Sequence, residues 1–353
     1  MFKMEPETKK RKGMEYDPDS WHVLPVLSDE MSDDVKLLDA YAAPITDKRQ
    51  TSRLVKDLSV VHPLADLHHI KRVRACKDKS SPHPLEVIVC LVSDVSVPTT
   101  FVTQPQRPAS LTDLLSSKDF NFEGLGEPFP VRIPARAPLT RPQFEQASRH
   151  WPTSFHEDKR VTLGLKGQLF TSRQKAKIQE YMTTAVEAAR SGREEGMDAV
   201  GAVIVDPKSG QIIAVGHDLT QDHPLHHAVM VCIDLVAWAQ GGGVYTYEKH
   251  PACRYTASDP QLYAGHSETS GSEENVQPYI CTGYELYVTR EPCVMCAMAL
   301  VHSRISSVFY GTASPDGALG TKYKIHCQKE LNHHFDVYKG VMRQACEELT
   351  PLK

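Results

Sequence analysis

No apolar run in this 353-residue sequence approaches the ~18 residues that a membrane-spanning helix needs, so no membrane span is expected. The opening segment, MFKMEPETKKRKGMEYD, lacks the apolar stretch of a secretory signal, which argues against export. Cysteines number nine, an odd count without framework spacing. A disulfide scaffold is therefore not expected, and reduced thiols, some available to metal, are. Aromatic residues are sparse at 7%, while 41% hydrophobic and 24% charged residues give the balance of an ordinary globular chain. The length accommodates two domains. These features lead us to expect a protein of nucleus and cytoplasm. The run Lys9-Lys10-Arg11-Lys12 reads equally as a nuclear-localisation signal or as a solvated basic tail.

Charge is nearly balanced overall, at −4, but it is unevenly spread. Between Ile45 and Ser80, nine lysines and arginines stand against four aspartates, with His62, His68 and His69 close by. A basic segment in a mildly acidic chain is what a phosphate-facing surface requires, although such runs are also ordinary solvated faces. The candidate contacts are Lys48, Arg49, Arg53, Lys56, Lys71, Arg72 and Arg74. On one helix, Arg49, Arg53 and Lys56 would share a face.

Residues 1–30 are polar and expected to be disordered. Residues 31–136 read as a small α+β domain: strand at 35–44, helix at 47–63, strands at 69–75 and 85–93, short helix at 110–117 and strand at 128–136. That β-α-β-β-α-β order is ferredoxin-like. A proline-rich connector, 137–171, carries Trp151 and Phe155 as apolar anchors against the second domain. The second domain spans 172–350. It opens with a helix expected to end at Gly192, followed by a hairpin turning at Asp206-Pro207-Lys208-Ser209-Gly210. A helix over 226–239, a strand over 285–290, a helix beginning with Pro292 in its first turn and a strand over 305–312 imply an α/β layered sheet. Residues 240–280, opening with three glycines, are expected to be a disordered insertion.

Three residues carry candidate chemistry. His227 lies near the start of one helix, and Cys293 and Cys296 lie at the start of another. Cys-x-x-Cys at a helix N-terminus aims two sulfurs at one spot, and the helix dipole favours their thiolates. An imidazole beside two thiolates suits Zn²⁺, and three protein ligands leave a fourth position open to water or to another residue. A lone Cys-x-x-Cys would equally be a redox pair or two core thiols. Here it follows a strand and is preceded by His-Ala on a helix after a hairpin, the H-x-E…P-C-x-x-C order of zinc nucleobase deaminases. His226 is read as outside the ligand set. His217 and His223 lack a comparable context and are read as structural.

The stretches AVGAVIVDP, HAV, YVTREPCVMCAMALVHSRISSVFYG, PDGALGT and LNHHFDVYKGV resemble the cytidine deaminase-like fold over residues 172–350. They are similar in particular to the tRNA wobble adenosine deaminases. Joined to the preceding module, the domain resembles the non-catalytic subunit of the eukaryotic heterodimer that makes inosine at tRNA position 34. The resemblance implies a zinc held by His227, Cys293 and Cys296, a catalytic deaminase subunit as partner, and tRNA as the nucleic acid gripped by the first module.

The sequence departs from the enzymes' pattern at Val229, where the resemblance implies the general acid/base carboxylate. Valine has no ionisable atom, and loss of such a group costs ~10²–10⁴ in rate. Glu291, inside the EPC motif, is read as structural. The chain alone is therefore expected not to deaminate. Two other readings remain at this stage: a free-standing zinc deaminase with another proton shuttle, and an RNA-binding interaction protein with structural zinc only.

Overall fold

The computed structural model describes residues 21–76, 82–95, 110–115, 120–257 and 279–349. The chain divides into a unit spanning Asp29–Thr162 and a larger one that joins the segment ending at Ser28 to Leu163–Lys353. None of the nine cysteines, all of which lie among the described residues, forms a disulfide. Among the described residues, no helix is long and apolar enough to cross a membrane.

The larger unit contributes the first strand, β1 (Leu24–Pro25), before the chain enters the smaller unit. That unit contains α1 (Asp29–Ser32), β2 (Leu37–Ile45), α2 (Thr51–Val61), β3 (Val73–Ala75), β4 (Leu85–Leu91), α3 (Leu111–Leu114), β5 (Phe129–Pro134) and α4 (Arg141–His150). Its sheet runs β3-β4-β2-β5, antiparallel throughout. Each β-α-β connection thus skips one strand, as the ferredoxin-like reading requires. Alternation along β4 sends Val87 and Val89 to one face with Leu54 and Leu58 of α2. Ile88 faces the other side, with Ile133 and Trp151.

Residues 137–171, expected to be a connector, hold α4 and then α5 (Lys159–Leu165). Pro142 stands in the first turn of α4, where a missing N–H costs nothing, so it starts a helix rather than preventing one. Trp151 is fully buried within its own unit, where its indole N–H donates to the Lys71 carbonyl at 2.6 Å. It is an anchor of the first domain, not of the second.

The larger unit continues with α6 (Ser172–Glu194), β6 (Gly201–Asp206), β7 (Gln211–His217), α7 (Ala228–Ala239), β8 (Arg254–Tyr255), β9 (Glu285–Arg290), α8 (Val294–His302), β10 (Ser307–Thr312), β11 (Asp336–Lys339) and α9 (Arg343–Glu347). Its seven-stranded sheet runs β1-β11-β10-β9-β6-β7-β8. Strands β9, β10 and β11 are parallel, whereas β6 pairs antiparallel with both β9 and β7. Period-two alternation in β6 sends Val203 and Val205 toward α6 and Ala202 and Ile204 toward α7 and α8. This gives the layered α-β-α arrangement expected of residues 172–350.

Several local expectations change. Helix α6 has a capping box between Thr171 and Gln174, and it passes through Gly192 to Glu194. Gly192 serves a close approach rather than a helix end: a Cβ there would stand 2.6 Å from His217 Nδ1. The tail expected over residues 1–30 is ordered from Trp21. Trp21 and Val23 are buried, and β1 pairs with β11. Residues 1–20 lie outside the described set. The insertion expected to be disordered over 240–280 is structured through Ala257, with β8 on β7 and Tyr247 and Cys253 in the core. Two apolar anchors hold a segment whose average polarity concealed them. Residues 258–278 lie outside the described set.

Candidate metal centre

The three candidate ligands converge because two helix N-termini do. His227 is the N-cap of α7 and Cys293 the N-cap of α8, both with extended backbone, while Cys296 lies one turn into α8. Helix α8 therefore begins two residues later than expected, at Val294, with Pro292 outside it. The crossover β9-α8-β10 delivers α8 to the carboxyl end of β9, where the sheet changes from parallel to antiparallel pairing. The carboxyl ends of the strands are where layered α/β sheets collect ligands.

His227 Nδ1 stands 3.7 Å from Cys293 Sγ. The ligand atoms of His227, Cys293 and Cys296 all lie within 4.8 Å of one another. Tetrahedral zinc, with bonds of about 2.3 Å to sulfur and about 2.0 Å to nitrogen, separates its ligand atoms by roughly 3.5–3.8 Å. An imidazole and two thiols at this spacing fit that ion. The thiols themselves are primed for it. Hydrogen bonding from the Cys296 thiol, aided by backbone N–H groups and by His227, lowers the Cys293 thiol to about 5. Cys296 is pushed far up, first by donating to Cys293 and then by burial. Without metal the pair therefore shares one proton, held by Cys296.

The site opens on a cavity of about 220 Å³ lined by His227, Val229, Cys293, Cys296, Asp218 and Glu291, among others. Val229 is 3% exposed and belongs to the core cluster under α7 and α8. The carboxylates at this cavity are engaged. Glu291 is buried and accepts from the backbone N–H groups of Ser314, Leu319 and Thr321, and from the Thr321 hydroxyl. A Cβ on Gly317 would collide with that carboxylate, so the 314–321 loop is wrapped around Glu291. Asp218 is buried and accepts from the N–H and hydroxyl of Thr220. Asp316 pairs with Lys322 at 3.2 Å. Sequence reasoning passed over Asp218, which no motif spacing marks.

His226 lies apart from the trio, stacked on His223 at 4.3 Å between ring centroids and set edge-on to Tyr245.

The seven basic candidates of the first domain separate into two groups. Arg72 is turned inward: its guanidinium donates to the carbonyls of Leu58, His62, Ile88 and Val89, and burial lowers it to about 10. Arg74 pairs with Glu86 at 2.6 Å, donates to the His150 carbonyl and lies over the Trp151 ring. Arg53 bonds Gln50, Asp57 and the carbonyls of Asn121 and Glu123. The phosphate-facing set thus narrows, because backbone carbonyls take these three guanidinium groups. Lys48, Arg49, Lys56 and Lys71 are exposed. Arg49 lies in a 3₁₀ turn before α2 rather than on the helix itself.

Comparison with known proteins covers both units. Residues 38–151 match the model for the tRNA-specific adenosine deaminase TAD3 N-terminal domain. Residues 175–312 match the cytidine and deoxycytidylate deaminase zinc-binding region. The chain is 66% identical to a Danio rerio protein named "probable inactive tRNA-specific adenosine deaminase-like protein 3", over 98% of this chain and 99% of that one. A human protein of the same name is 52% identical, over 96% and 94%. The tRNA-specific adenosine deaminase subunit tad3 of Schizosaccharomyces pombe is 27% identical, over 78% and 74%.

Proposed function

The chain belongs to the tRNA-specific adenosine deaminase-like protein 3 family, and from that membership we propose that it is the non-catalytic, tRNA-holding subunit of a two-chain deaminase. The complex converts adenosine to inosine at the wobble position, and a homologous partner carries the chemistry. The relatives' name, "probable inactive", supports the first part, and the fission yeast relative's name as a subunit supports the second.

Val229 is the observation that carries this reading. It stands two residues after His227, buried against the proposed metal ligands, where a deaminase needs a proton carrier. Glu291 accepts from loop donors at both carboxylate oxygens, and Asp218 accepts from Thr220 at Oδ1; neither stands at the motif position that Val229 occupies. Zinc bound by His227, Cys293 and Cys296 would supply Lewis acidity to a water in its open position. At the motif's proton-carrier position the chain offers only the Val229 side chain, which can neither accept a proton nor return one to a purine nitrogen.

The ligands still have a physical purpose. They sit at the N-termini of two different helices, so a shared ion ties α7 to α8 and contributes directly to folding free energy. The first domain then supplies the RNA contacts. Lys48, Arg49, Lys56 and Lys71 would meet phosphates, which position an RNA without reading its sequence.

Purified chain, partner and unmodified tRNA test the proposal in separate and mixed reactions. Inosine should form only in the mixture, and with this chain the tRNA should bind more tightly than to the partner alone. Inosine made by this chain without its partner would overturn the reading.

A further inference from the structure

A second group of metal-binding side chains lies in the larger unit, away from any motif. Glu195 follows the last turn of α6, His217 ends β7, and His250 comes from the loop between α7 and β8. Glu195 Oε2 is 2.6 Å from His250 Nδ1 and 3.7 Å from His217 Nε2. One ligand atom from each of the three lies within 4.8 Å of the other two.

The tautomer of a neutral His217 ring follows from its surroundings. Its side chain is fully buried, and Nδ1 is 3.0 Å from the Asp218 carbonyl. A carbonyl only accepts, so Nδ1 carries a hydrogen, and in the neutral ring Nε2 presents a lone pair. Nε2 has no hydrogen-bond partner, and it faces the carboxylate of Glu195. With the ring neutral, two electron-rich atoms face each other, and a cation between them, a proton or a metal ion, relieves the repulsion. His250 shows the same demand. Its Nδ1 faces Glu195, and its Nε2 is 2.9 Å from Asp222 Oδ2. A neutral imidazole has one proton and can donate to only one of the two carboxylates; a second ring proton or a metal ion at Nδ1 satisfies the other.

We propose that Glu195, His217 and His250 form a second divalent metal site, taking zinc through Oε2, Nε2 and Nδ1. The one proton of His250 then lies on Nε2 and goes to Asp222, and that of His217 goes to the Asp218 carbonyl. This is how metal-bound histidines are held in the correct tautomer, by a carboxylate or backbone carbonyl on the opposite nitrogen. Two imidazoles and a carboxylate are a zinc donor set free of sulfur, chemically distinct from the His-Cys-Cys centre. Gly192 lets α6 close against the His217 ring, which cannot turn away. Bonds of about 2.0–2.1 Å would open the Glu195–His250 contact to roughly 3.3 Å. Glu195, at the partly exposed end of α6, can give by that amount. The ion would bind the 240–257 segment to the sheet. It would also fix the Asp218–Asp222 stretch that leads to His227, so the second site would steady the first.

Zinc content per chain tests this, measured on the full chain after equilibration with zinc and removal of the unbound ion. Wild type should hold two ions, and His250→Ala and Glu195→Gln one each. Cys293→Ser with Cys296→Ser should also hold one, which reports on the other centre independently. Glu195→Gln changes a partly exposed side chain and keeps the test open if His250→Ala does not fold. A wild-type count of one, with Glu195→Gln unchanged from it, would overturn the second site. So would two ions retained in Glu195→Gln. If only the His-Cys-Cys reading failed, the double serine variant would match wild type.

Discussion

His227 caps α7 and Cys293 caps α8, and their Nδ1 and Sγ atoms meet at 3.7 Å. Two helix N-termini thus place an imidazole and a thiol where one ion can span them, with Cys296 completing the set one turn along. The arrangement couples metal to stability. Chelation, or Cys296→Ser, should lower the thermal midpoint of the full chain by at least several degrees, since about 1 kcal/mol moves a domain of this size by roughly 2–4 °C. Differential scanning calorimetry with and without zinc measures it. An unchanged midpoint would assign the trio no structural role.

The free thiols should titrate unequally. In the metal-free chain Cys293 is held down to about 5, so it is a thiolate at pH 7. A folded value below the unfolded one of about 8.5 means stability from this group is complete above that pH. It is lost as pH falls toward 5. Iodoacetamide should therefore label Cys293 before Cys296 at pH 6–7, and zinc should protect both. Peptide mass spectrometry reads the order, and equal labelling only above pH 8 would contradict it.

Arg72 and Arg49 should behave as opposites despite equal charge. Arg72→Ala removes donors from carbonyls at the end of α2 and in β4, and should cost about 2–4 kcal/mol by urea unfolding. Arg49→Glu and Lys56→Glu change exposed side chains and should leave stability within about 0.5 kcal/mol. Each phosphate contact they remove should flatten the salt dependence of tRNA binding by a slope of about 0.7–0.9.

That contrast marks what a sequence conveys and what it withholds. The basic run was visible between Ile45 and Ser80, but linear charge does not say which guanidinium groups turn inward. Arg72 and Arg74 do so because they lie at the edge of a sheet where nearby carbonyls and Glu86 accept their hydrogen bonds. The His227–Cys293–Cys296 group was legible because two of its members share one helical turn and the third opens a helix after a hairpin. The Glu195–His217–His250 group was not. Its members stand at the end of a helix, the end of a strand and inside an apparently loose insertion, and no spacing links them. Helix and strand order followed from periodicity. The order in 240–257 did not, because it rests on Tyr247, Cys253 and a short pairing to β7.

Val229→Glu tests whether the pocket is latent. Placing a carboxylate among core residues at a 3% exposed position should destabilise the metal-free chain by about 1–3 kcal/mol. The isolated variant should still make no inosine. Turnover by it would show that this cavity lacks only a proton carrier.

The central claim is that this subunit holds while its partner reacts. The most direct test is inosine formation by the assembled complex in which only the partner's general acid/base carboxylate is replaced by its amide. With this chain intact and zinc-loaded, the account predicts no inosine above the enzyme-free control. Single- or multiple-turnover editing by that complex would mean that the site around Val229 is itself catalytic.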